Sequence, residues 1–161
     1  SCPPLISGEG GKTLNEDNRF LTYALKYASL GYSVIPLQPK GKKPIISSWA
    51  EYQKQRADEN QIREWWRQYP KANVGIVTGS ISGIVVLDVD GEDGLSSLTR
   101  IGEKLRPTPI SNTGNGHHYI YKHPGKEIRN FSRREPGLDL RGDGGYIVAP
   151  PSVHPSGREY E

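Results

Sequence analysis

At 161 residues and a net charge of +3, the chain has material for one sizeable domain, or for two small lobes sharing a core. The mild positive charge permits a nucleic-acid partner without requiring one, and 24% charged with 34% hydrophobic residues is an ordinary globular balance. The single cysteine, Cys2, excludes an internal disulfide and suits a reducing cytoplasm; no apolar run approaches a membrane span and no signal-peptide pattern is present. The chain contains no Met and stops at Arg158-Glu159-Tyr160-Glu161 without a terminating signal, so it reads as a fragment of a longer protein.

Residues 1–14 are rich in Gly, Pro and Ser and lack periodicity, which predicts a flexible leader ahead of one domain over 15–161. From about Glu16, the spacing of Phe20, Leu21, Ala24, Leu25 and Ala28 predicts a helix stopped by Gly31. Tyr32–Leu37 reads as a short strand closed by prolines. The basic turn Pro39-Lys40-Gly41-Lys42-Lys43-Pro44 that follows reads equally as a solvated loop or as a phosphate contact. Asp58 with Gln61 has the pattern of a capping box, ahead of a stripe of Ile62, Trp65, Trp66 and Tyr69 that predicts a helix with core-anchoring tryptophans.

Asn73–Gly79 is a second predicted strand, paired with Ile84–Asp90 through the turn at Ser80–Gly83. Leu95, Leu98, Ile101 and Leu105 mark a surface helix ended by Pro107 and Pro109. Tyr119-Ile120-Tyr121, entered through the glycine turn Gly114-Asn115-Gly116, and Tyr146–Ala149 are further strands. Between them, Lys126, Arg129, Arg133 and Arg134 around Phe131 form the densest basic stretch, suited either to a mobile surface loop or to strand and nucleotide binding. Short strands, tight glycine turns and two or three amphipathic helices predict an α/β domain of the α+β type, with a small N-terminal lobe packed on a mixed or antiparallel sheet.

The chemistry gathers at Ile84-Val85-Val86-Leu87-Asp88-Val89-Asp90-Gly91. An apolar, β-branched run reads as a buried strand, and residues two apart on a strand share a face, so Asp88 and Asp90 present paired oxygens side by side. Like charges so close repel unless a cation lies between them, and hard oxygen ligands suit Mg²⁺ or Mn²⁺. A strand running into an acidic turn is the alternative. Asp139, between Leu138 and Leu140, shares a face with neither and is a candidate third ligand or an outward polar residue; Asp143 reads as a turn residue.

Taken together, Gly41-Lys42-Lys43-Pro44, the Asn73–Gly79 strand, Leu87-Asp88-Val89-Asp90-Gly91, His118-Tyr119-Ile120-Tyr121, and Leu138-Asp139-Leu140-Arg141-Gly142-Asp143-Gly144-Gly145-Tyr146 with Pro150-Pro151-Ser152 resemble the N-terminal domain of bifunctional primase-polymerases. These belong to the archaeo-eukaryotic primase superfamily of plasmids, phages and mobile elements, and the likeness runs from about Phe20 to Glu161. It implies an RRM-like sheet and nucleotidyl transfer in DNA replication, on a single-stranded DNA template with NTP or dNTP. It also implies two ions, Mg²⁺ or Mn²⁺, on Asp88, Asp90 and Asp139, and a helicase segment in the same full-length chain or nearby. The family's small-x-His motif falls on Gly116-His117-His118, and its spacing favours His118 as the nucleotide contact over His117. Alternation along the strand puts His117 on the other face, with Tyr119 and Tyr121. Arg141, Lys43 or the 126–134 loop would hold the triphosphate or the template.

Two rival readings compete. A phosphatase with an aspartate nucleophile also carries Asp-x-Asp after a strand, but it wants Thr or Val after Asp-x-Asp-Gly, where this chain has Glu92. A non-catalytic nucleic-acid-binding module would keep the fold alone.

Overall fold

The computed structural model describes residues 18–101, 108–132 and 135–161. The predicted leader, and the segment meant to carry Leu105 and Pro107, lie outside these residues. Helix α1 (Arg19–Ser29) starts at Asn18, whose side chain accepts the Leu21 amide at 3.2 Å, and buries Tyr23, Ala24 and Tyr27. Strand β1 (Ser33–Leu37) follows, then a single 3₁₀ turn at Ala50–Gln53. Helix α2 (Glu59–Gln68) is capped as its sequence predicts, Asp58 accepting the Gln61 amide at 2.7 Å. Its stripe buries Ile62, Trp65 and Trp66, with the Trp66 indole donating to the Ala72 carbonyl. Tyr69 departs from the stripe: it caps the helix in a non-helical conformation and stands 41% exposed.

The remaining elements are β2 (Asn73–Val77), β3 (Ile84–Asp90), α3 (Gly91–Ile101), β4 (Ile110–Asn112), β5 (Gly116–Lys122), β6 (Phe131–Ser132), β7 (Leu138–Arg141) and β8 (Tyr146–Ala149). They build two sheets, one ordered β1-β2-β8 and the other β4-β5-β3-β7-β6. Every strand pairing is antiparallel, and the architecture is α+β. The expected β2–β3 hairpin does not form. The two strands meet only in an isolated bridge, Gly79 with Ile84, and then part into different sheets. The positive φ values of Gly79 and Gly83 turn the chain between them, so β2 takes β1 and β8 as neighbours while β3 takes β5 and β7.

One core gathers Tyr27, Trp66 and Ile62 from the helices, Val74, Ile76, Ile147 and Ala149 from the small sheet, and Ile84, Val86 and Ile120 from the large one. Val86 and Ile120 are cross-strand neighbours and fully buried. Further along the same face of β3 come Asp88 and Asp90, so the large sheet is apolar where the small sheet and helices cover it and acidic where that cover ends.

Two side-chain knots hold the loops around this junction. Asn73, fully buried, donates to the carbonyls of Gly41 and Val153 at 2.9 and 2.8 Å and accepts the Val153 amide at 2.9 Å. Asp143, in the β7–β8 turn, accepts the amides of Ser80 and Ile128, both at 2.8 Å, and faces His123 Nε2 at 3.2 Å. Burial would raise the Asp143 carboxyl, but these amides and His123 hold it below the usual range.

Asn73→Ala strands a buried amide and two carbonyls, so urea unfolding should show a loss of about 2–3 kcal/mol, with faster hydrogen exchange at the Val153 amide. For Asp143, a folded-state pKa below the unfolded value makes the carboxylate stabilising above about pH 4, and that stability is lost as pH falls through the lower folded value. The stability difference between wild type and Asp143→Asn should therefore be large at neutral pH and shrink under acid. A difference independent of pH would show that the carboxylate charge is not what the turn uses.

Candidate active site

Strand β3 runs between β5 and β7 in a register that sets Asp88 opposite both His118 and Asp139. Directly opposed residues share a face and lie about 5 Å apart at Cβ, so Asp139, Asp88 and His118 form one row across three strands. Ser111 of β4 extends the row beyond His118. Two residues on from Asp139, Arg141 lies on the same face, its Nη2 3.6 Å from Asp139 and 3.9 Å from Asp88. His118 Nε2 lies 3.5 Å from the other Asp88 oxygen. Burial would raise the Asp88 carboxyl, but contact with His118 and the charges of His118, Arg141 and Lys42 more than offset it and leave the pKa lowered.

Asp90 sits at the exposed end of β3, where Gly91 turns the chain into α3 with φ 61. The Asn115 amide donates to Asp90 Oδ1 at 3.1 Å, and the Gly91 amide donates to the Asn115 carbonyl at 2.7 Å. The β4–β5 turn is thereby fastened to the strand end that carries the acids.

Above the row lies a cleft of about 330 Å³, lined by Asp88, Asp90, His118 and Arg141 from the large sheet and by Lys42, Trp49, Tyr146, His154 and Tyr160 from the loops and β8. The Tyr146 hydroxyl donates to the Lys42 carbonyl at 2.8 Å, and its ring meets Trp49 edge-on at 5.1 Å. Tyr160 is buried 6.4 Å from His118. Burial and then the nearby charges of Asp88 and Asp90 push its phenol up to about 12, so it stays protonated.

The site residues read from the sequence divide clearly. Asp88, Asp139, His118 and Arg141 come together, with Asp90 at their edge. His117 points to the opposite face, as alternation requires, where its Nδ1 meets Asn112 Oδ1 at 2.8 Å and its ring packs 6.4 Å from Tyr119. Lys42 and Lys43 are both exposed, and of the two it is Lys42 that lines the cleft. The clamp on the Gly41 carbonyl and the bond to the Lys42 carbonyl fix which lysine turns inward, and periodicity carries no trace of either. Lys126 lines a separate groove with Lys54 and His123; Arg129 is exposed and paired with Glu127 at 2.8 Å. Arg133 and Arg134 lie outside the described residues.

Among the described residues, no group of three or more His, Cys, Asp and Glu side chains is gathered so as to hold a metal ion. The acids share a face without converging on one point, because each carboxylate turns to a protein partner: Asp88 to His118 and Arg141, Asp139 to Arg141, Asp90 to Asn115. Sequence reading named Lys42 only as part of the basic turn, and missed Asn115, His154 and Tyr160. Only the turn-like His154-Pro155-Ser156-Gly157 after the last strand marked a loop there.

A carboxylate row flanked by histidine and arginine, beside a cleft with a lysine and aromatic walls, has the chemistry to bind a charged, ring-bearing ligand. A family model describing the N-terminal domain of bifunctional DNA primase/polymerases matches residues 24–161, and the chain belongs to that family. Membership of this family implies an enzyme of the nucleotidyltransferase type. No curated protein matches the chain. No helix among the described residues is long and apolar enough to cross a membrane.

Without divalent ions, replacing either partner of Asp88 should raise its carboxyl pKa, because each now favours the charged form. His118→Gln should raise it more than Arg141→Gln, since His118 adds hydrogen-bond contact to charge. Carbon-13 titration of the Asp88 carboxyl reads both, and an unmoved Asp88 in the two variants would show that these contacts do not hold it low.

Proposed function

We propose that the domain catalyses template-directed nucleotidyl transfer as a DNA primase and DNA polymerase, with Asp88, Asp90 and Asp139 holding two divalent ions, Mg²⁺ or Mn²⁺. The observation that carries this reading is the row Asp139–Asp88–His118 beside Arg141, of which Asp88, His118 and Arg141 line the cleft. The residues fit such ions chemically. Two carboxylates face each other on neighbouring strands, a third lies two residues along, and Asp139 Oδ1 is buried without a hydrogen-bond partner. When bound, the ions would lower the charge repulsion of the reacting groups and activate the primer 3′-hydroxyl.

In the transfer, the 3′-oxygen forms a bond to the α-phosphorus while the bond to the β-phosphate oxygen breaks, and pyrophosphate leaves. His118 donates to the phosphates of the incoming nucleotide, and Arg141 pairs with the negative charge that accumulates during transfer. The walls of the cleft orient the nucleotide against the template strand. The substrates are NTP or dNTP with a single-stranded DNA template, and a helicase segment in the full-length chain or nearby would supply that strand.

Primer extension on a defined template, with Mg²⁺ or Mn²⁺ and each nucleotide type in turn, tests this reading. Asp88→Ala or Asp90→Ala should lower extension by orders of magnitude. His118→Ala should raise the nucleotide KM and lower kcat with little change in metal affinity. Template binding without extension by the wild type would favour a non-catalytic binding module. Magnesium-dependent hydrolysis of p-nitrophenyl phosphate would favour the phosphatase.

A further inference from the structure

After β8 the chain turns through Pro150-Pro151-Ser152 and comes back along the lip of the cleft, carrying His154 among its lining residues. Nothing in the chemistry described so far uses this histidine, yet three observations fix its placement. Its ring lies so close to the Gly114 backbone that a Cβ at that position would overlap it, which ties His154 to the turn whose Asn115 holds Asp90. It packs 5.9 Å from the Tyr160 ring, which itself lies 6.4 Å from His118, so the two histidines touch a common aromatic neighbour. Its loop is held from below, Val153 by the Asn73 side chain and Ser152 Oγ by the amide of Val74 at 2.8 Å.

The hydrogen bonds of the ring also fix its tautomer. His154 Nδ1 accepts the Ser156 amide at 3.0 Å and lies 2.8 Å from the Ser156 hydroxyl. A backbone amide can only donate, so Nδ1 carries the lone pair and the proton of the neutral ring is on Nε2. Burial first, then the Lys42 ammonium and Arg158, hold the imidazole below its ordinary pKa against the opposing pull of Asp90. The ring is a neutral donor with one N–H to offer, in the same cleft as Lys42 and Asp90.

We infer that His154 is a substrate-contacting residue that donates its Nε2–H to the polyphosphate of the incoming nucleoside triphosphate, with Lys42 supplying the charge beside it. Lys42 lines the same cleft and acts electrostatically on Asp88 as well as on His154, so its ammonium stands near both the acids and this second donor. That is where an anion bridging the two sides of the cleft would sit. A neutral donor there can bind phosphate without adding a positive charge that competes with cations at the acids. The inference rests on the nucleotidyl-transfer reading and adds a named phosphate contact outside the acid row.

Two isosteric substitutions separate this role from a structural one. Glutamine places an amide N–H near the position of Nε2 and lacks the Nδ1 acceptor. Asparagine places its polar end near Nδ1, where its oxygen can accept the Ser156 amide, and lacks the distal donor. Calorimetric binding of dATP and ATP to the whole chain in Mg²⁺ buffer, alongside melting temperature and the nucleotide KM, should show His154→Gln close to wild type. His154→Asn should bind about tenfold more weakly, as for a lost hydrogen bond to a charged group, with unchanged melting temperature and unchanged affinity for the monophosphate dAMP. The reverse order would assign the ring to holding the Ser156 turn and overturn the inference, as would two variants equal to each other in affinity. If wild type extends primers while either of those results appears, only the role of His154 falls. If wild type neither binds triphosphate nor extends primers, the nucleotidyl-transfer reading and this inference fall together.

Discussion

The register of β3 between β5 and β7 is the constraint on which the site depends. Side chains alternate along a strand, so a slip of one residue would carry Asp88 to the face of His117 and Leu140 and turn Leu87 toward the cleft. The register is enforced by burial. Val86 and Ile120 face each other at zero exposure and must stay under the small sheet, and two residues further on the same alternation delivers Asp88 opposite His118. A hydrophobic requirement at one end of the strand thus sets the geometry of the acid row at the other.

This arrangement stores an electrostatic problem. Asp88 and Asp139 oppose each other with 22% and 19% of their side chains exposed, where unrelieved repulsion between carboxylates would be costly. Arg141 reaches both and His118 takes the remaining side of Asp88, so the folded chain neutralises its own acids. Against burial, His118 and Arg141 together hold the Asp88 carboxyl below its usual range, and the unpartnered oxygen of Asp139 marks where that compensation is incomplete. A site built this way favours any further positive charge brought to it.

The parts of this architecture that repeat along the chain were legible in the sequence. Alternation placed Asp88 and Asp90 on one face, separated His118 from His117, and set Asp139 apart from Leu138 and Leu140. Helical spacing found Ile62, Trp65 and Trp66, and the cap at Asp58 marked where α2 starts. Parts that depend on a single tertiary contact were not legible. Neighbouring strands in sequence usually pair, yet β2 and β3 separate because the chain turns at Gly79 and Gly83, and both strands find better-covered partners elsewhere. The choice of Lys42 over Lys43 hangs on hydrogen bonds to two backbone carbonyls. His154 is brought to the cleft by a loop with no periodicity.

The two halves of the cleft are consequently held by different physics. The acids stand on a strand whose ladder bonds and apolar neighbours are shared with two adjacent strands, so shifting one of them means disturbing the sheet. The opposing donors, Lys42 and His154, stand on loops, and a single side chain connects both loops to the sheet: Asn73 bonds to Gly41 beside Lys42 and to Val153 beside His154. Asn73 lies on β2, the middle strand of the small sheet, whose Val74 and Ile76 pack in the shared core. The two loops are therefore tied to the small sheet at a shared buried amide, alongside the Tyr146 bond to the Lys42 carbonyl and the Val74 amide on Ser152. Donors carried on loops but anchored at a common point can adjust together while the row of acids stays fixed on its sheet.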